Sequence, residues 1–182
     1  MKGLSGLFWF GVGLFFSCAA QAGDAKCMWN LLPAASKDEI IVAYANGGSD
    51  AVTRVKLPNV FSPPCIPPNV TSANASAVGE KMGIALQGYS MEMAVTDFLA
   101  RKRNVPPGKL DNAWRALSPK ERYAIRNYLT SDSIESGQAI IHAVQLAGVT
   151  LTPDDPKALA ELELYLPYFA SRAMREDAEA GF

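Results

Sequence analysis

The chain is poor in the residues that carry chemistry. It has one histidine, His142, and three cysteines, Cys18, Cys27 and Cys65, in 182 residues. With Cys18 inside the apolar N-terminal segment, one histidine and two cysteines fall short of the four protein ligands of a structural zinc site. Cys-x-x-Cys, Cys-x-x-Cys-His, His-Glu-x-x-His, a P-loop, Gly-x-Gly-x-x-Gly and a Gly-x-Ser-x-Gly elbow are all missing. Their absence removes the signatures of dithiol redox, haem attachment, zinc proteolysis, nucleotide binding and α/β-hydrolase chemistry. No catalytic, cofactor-binding or metal-ligating residue is therefore assigned, and no cofactor is expected. An excess of one charge is missing too. Seventeen basic residues face eighteen acidic ones, which argues against a nucleic-acid partner and against strong adsorption to a membrane surface. Beyond residue 22 no apolar run is long enough to span a bilayer.

What is present begins at the N-terminus. Met1-Lys2 precedes an uncharged apolar run from Gly3 to Phe16, and Ala20-Gln21-Ala22 offers a small-x-small cleavage site before Gly23. This is the layout of an export signal. The competing anchor reading needs roughly 20 strongly apolar residues, and only Leu7 to Phe16 qualifies. Lipidation at Cys18 is opposed by the bulky Phe15-Phe16 before it. The short charged start fits a bacterial signal, so a periplasmic or secreted protein without a stable membrane anchor is expected. Cleavage of 22 residues leaves 160 and moves the formal charge from −1 to −2. That is one domain with a core of its own. In an exported chain Cys27 and Cys65 are expected to form one disulfide.

The organisation expected is all-α: five to six helices around a central helix at about 75–104. The segment 23–73 reads as irregular, with one short helix over 37–46. Ser36-Lys37-Asp38-Glu39 has the form of a capping box for it, and Asn46-Gly47-Gly48 of its stop. Val52 to Leu57 alternates loosely, as a short strand would. Ser62 to Pro68 holds four prolines and reads as extended backbone. The helical core spans 74–176, and 177–182 reads as a frayed tail.

Within that core, Val78, Met82, Leu86, Tyr89, Met93 and Leu99 fall on one side of the long helix, and Ile84, Met91, Val95 and Phe98 on the other. Glycines 79, 83 and 88 would allow close approach of a neighbour. Arg101-Lys102-Arg103 suits the negative end of the helix dipole. Ser118-Pro119-Lys120-Glu121 is a second capping box. A helix over 133–147 follows, with Gly148 as its stop. In the last helix Leu159, Leu162, Leu166 and Phe169 form a stripe, and Pro167 is expected to kink or divide it.

Three functions are compatible with this reading. The first is a non-catalytic module that binds another protein, as an accessory subunit, inhibitor or immunity-type protector. Its candidate contacts are Pro63, Pro64 and Ile66 in the Pro-rich loop and Tyr165, Tyr168 and Phe169 in the last helix. The second is a binder of apolar small ligands, with a cavity between helices lined by Met82, Met91 and Met93. The third is a carboxylate-dependent hydrolase acting on cell-wall glycan, through Glu80, Glu92 or Glu135. Ile134-Glu135-Ser136 resembles the Glu-Ser step of lytic transglycosylases over three residues, without the Gly-Leu-Met-Gln-type segment of that family. Glu135, Gln138, His142 and Gln145 otherwise read as one solvated helix face.

Overall fold

A computed structural model of the chain describes residues 24–58, 61–128, 133–151 and 156–181. The export segment at 1–22 and the expected start of the last helix at 152–155 lie outside the described residues. The described residues form seven α-helices and one 3-10 turn, with no strand among them. The all-α reading holds.

The N-terminal quarter is more regular than its composition suggests. Helix α1 (Ala25–Leu31) is capped by Asp24, whose carboxylate accepts from the Lys26 amide at 2.8 Å. Helix α2 (Ala34–Thr53) starts before Ser36, so the expected capping box does not form. Pro33 supplies the entry, and its carbonyl already accepts from the Ser36 and Lys37 amides. The helix expected to stop at Asn46 breaks at Gly48, with φ at +63°, and then resumes to Thr53. That φ is open to glycine at little cost. The strand expected over 52–57 is absent. A lone strand would leave its amides without a ladder; instead Arg54 and Val55 donate back to Ala51 and Val52.

The Pro-rich segment is not extended throughout. Pro63–Cys65 forms a 3-10 turn closed by a Cys65 amide bond to the Ser62 carbonyl at 2.9 Å. Tertiary demand from buried Cys65 overrides the extended preference there. The Cys27–Cys65 disulfide ties this turn to α1, with Cα atoms 5.6 Å apart.

Helix α3 (Ala75–Arg103) is central, as its two apolar sides require. It packs against α1 and α2, against α4 (Pro107–Ala116), and most extensively against α7 (Pro156–Glu179). Helices α5 (Pro119–Asn127) and α6 (Ile134–Leu146) pack on each other and on α7. Gly88 permits the α3–α7 approach: a Cβ there would lie 2.9 Å from the Ser171 carbonyl oxygen. The expectation fails at Gly79 and Gly83, where a Cβ would meet open space.

Three further expectations at the C-terminus are corrected. Helix α7 runs through Pro167 as one element rather than dividing. Leu159, expected in its buried stripe, is exposed, while Leu162 and Leu166 are half-buried. The tail expected to fray from residue 177 is helical to Glu179, with Ala178 buried. Glu179 explains this order, because it accepts from the Ala25 amide at 3.0 Å and pairs with Arg175 at 2.6 Å.

Candidate functional site

The structure treats the two expected contact surfaces differently. Tyr165, Tyr168 and Phe169 are 3%, 3% and 0% exposed. They close the core between α7 and its neighbours and are not offered to a partner, which corrects that half of the interface reading. Burial raises the pKa of the Tyr168 phenol well above its usual range, with Glu92 adding to the effect. By contrast Pro63 and Pro64 are exposed, Ile66 is half-buried against the core, and Cys65 between them is fully buried. The disulfide and the 3-10 turn together fix the two proline rings at the surface.

Of the three carboxylates considered for catalysis, Glu92 and Glu135 line different clefts, and Glu80 lines neither. Glu80 and Glu92 lie twelve residues apart on α3, or about 18 Å along the axis, beyond the ~5–9.5 Å that paired glycosidase carboxyls require. Glu80 and Glu135 are exposed, whereas Glu92 is 3% exposed. Arg175 donates from Nε to Glu92 Oε1 at 2.6 Å, and Arg172 donates from Nη1 to Oε2 at 3.0 Å. Both carboxylate oxygens are thereby committed to guanidinium groups.

This pairing is the centre of a buried ionic network that ties four helices together. Arg172 also binds Asp111 on α4 and Glu176 on α7, and Arg175 binds Glu179. Trp114 on α4 donates from Nε1 to Glu176 at 2.8 Å, and Glu179 reaches the first amide of α1. The Arg175 guanidinium also lies over the Tyr89 ring. Burial alone would lower both arginine pKa values, but Glu92 and the other carboxylates outweigh it and raise them. Burial raises Glu179, against the opposing pull of the Ala25 amide and Arg175. A cleft of about 370 Å³ opens onto this network. The spacing of Arg172, Arg175, Glu176 and Glu179 puts all four on one helical face. That signal was available in the sequence and was masked by the polar look of the C-terminus.

His142 meets Glu121. Its Nδ1 hydrogen-bonds Glu121 Oε1 at the start of α5, where the Ser118–Glu121 capping box is fully formed. Ser118 donates to the same carboxylate from its hydroxyl at 2.6 Å and its amide at 2.8 Å. These bonds, with His142, hold the Glu121 pKa down at about 2. Glu135, Gln138, His142 and Gln145 are all exposed on α6. No group of three or more His, Cys, Asp or Glu residues arranged for a metal ion occurs among the described residues.

The methionines expected to line a cavity do not share one. Met82 and Met91 are buried in the core, and Met93 borders the charged cleft. Among the described residues no helix is long and apolar enough to cross a membrane. No protein-family model, no curated protein and no solved structure matches this chain.

Proposed function

We propose that this protein is an exported, non-catalytic domain that binds another protein through the exposed Pro63-Pro64 turn, with Ile66 at its base. The observation that carries this reading is the contrast within three consecutive residues. Pro63 and Pro64 face solvent, while Cys65 is fully buried and bonded to Cys27. A turn fixed in this way loses little conformational entropy when a partner closes over it. Two adjacent pyrrolidine rings suit an apolar or aromatic-lined cleft on the partner. The disulfide fits an oxidising compartment, and with the N-terminal export pattern it supports a periplasmic or secreted location in a bacterium.

The test is a pull-down of tagged 23–182 from the exported fraction of its own host, beside the Pro63→Ser/Pro64→Ser variant. The reading predicts one partner in near-equal amount with the wild type, and its loss with the variant at unchanged thermal stability. Equal recovery by both proteins would move the interface elsewhere.

A further inference from the structure

Helices α2 and α3 do not close completely. Between them, and bordered also by Val55, Leu57, Pro58 and Phe61, lies a groove of about 480 Å³. This falls within the range of small-molecule pockets. Its apolar walls are Ile40, Val52, Leu57 and Leu86, the uncharged Gln87 side chain also lines it, and no ionisable side chain borders it among the described residues.

Two features of α3 make this groove more than a packing fault. Gly83 borders it, and a Cβ built there meets nothing within 4 Å. A glycine in mid-helix is unfavourable by about 1 kcal/mol relative to alanine. Close backbone packing, which accounts for Gly88, does not account for Gly83. Two turns further along the same face stands Ser90, which also borders the groove. It is 1% exposed, and its hydroxyl has no hydrogen-bond partner among the described residues. Buried hydroxyls are ordinarily paired. Thr53, the other hydroxyl on the groove, is already bonded to the Asp50 carbonyl.

We infer that the groove between α2 and α3 is a binding site for an uncharged, largely apolar small molecule carrying one hydrogen-bonding group. The apolar body lies in the space left open by Gly83, and the polar group bonds to the Ser90 hydroxyl. A charged head group would be desolvated here without a counter-ion.

N-phenyl-1-naphthylamine is a suitable probe, since it is neutral, has two apolar ring systems and carries one N–H. Titration into the intact exported chain, followed by fluorescence, is expected to saturate at one probe per protein. The sulfonated analogue 8-anilinonaphthalene-1-sulfonate shares its skeleton and is expected to bind about 10-fold more weakly or worse, because the sulfonate finds no partner. Gly83→Leu fills the groove and should abolish binding without lowering Tm. Gly79→Leu, one turn away in open space and off the groove, should leave binding intact. Ser90→Ala should weaken binding about 3- to 10-fold, the effect of one lost hydrogen bond, with Tm unchanged or raised. The absence of saturable binding, equal affinity for both probes, or binding that survives Gly83→Leu would each overturn the assignment.

Discussion

Glu92 and Arg175 form an ion pair at 2.6 Å with both side chains almost wholly removed from water. The pair joins the middle of α3 to the last turns of α7 and sets the order of the whole C-terminus. Removing one partner of a buried pair strands the other, at a cost of about 3–5 kcal/mol. Glu92→Gln is therefore expected to lower Tm by roughly 10 °C or more. Thermal melts give the shift, and urea denaturation followed by circular dichroism gives the free-energy loss. A loss below about 1 kcal/mol would mean that the network is solvated, in the range of an exposed pair.

The disulfide closes a 38-residue separation between α1 and the Pro-rich turn. Loop-closure entropy assigns such a crosslink about 3–4 kcal/mol. The Cys27→Ser/Cys65→Ser variant, and the wild type in reductant, should both melt lower, by a similar amount of roughly 10 °C. A variant that melts with the wild type would show that the turn is held by packing alone.

Glycine positions on α3 separate packing from propensity. Gly88→Ala places a Cβ 2.9 Å from the Ser171 carbonyl oxygen and 3.0 Å from the Arg175 Cβ. It should destabilise the protein by about 1–3 kcal/mol through overpacking. Gly79→Ala meets open space and should stabilise by about 0.5–1 kcal/mol through helix propensity. Thermal melts of the two variants should therefore move in opposite directions, and a shared direction would contradict the α3–α7 packing described.

Stability should depend on pH through Glu121. Hydrogen bonds from Ser118, with His142, lower its pKa from 4.5 in an unfolded chain to about 2. A depressed carboxylate stabilises the fold above its unfolded value and loses that contribution as pH falls through its folded value. The advantage of wild type over Glu121→Gln should be full above pH 4.5 and fade as pH falls toward 2. Melting curves for both proteins across that interval test this, and a constant difference would contradict it.

Much of the fold was legible where local signals and burial agree. The two apolar sides of α3 required a helix with neighbours on both sides, and Ser118-Pro119-Lys120-Glu121 specified the start of α5 without tertiary help. The failures came where long-range partners decide. Ser36 and Glu39 have capping-box spacing, but Pro33 had already begun the helix. Tyr165, Tyr168 and Phe169 are interface-type residues, and only the position of α7 against α3 shows that they face inward. The pairing of Arg172 and Arg175 was not legible because their partner Glu92 lies 83 residues from Arg175 in sequence. The Gly83–Ser90 groove was not legible, since an unpaired hydroxyl and an empty space are properties of packing.

The functional account rests on the Pro63-Pro64 turn, and one measurement tests it most directly. Calorimetric titration of the purified partner into wild type and into Pro63→Ser/Pro64→Ser compares affinities, with thermal melts run on both. The account predicts at least about a 10-fold loss of affinity, or 1.4 kcal/mol, in a variant that melts with the wild type. Undiminished affinity in the folded variant would contradict it.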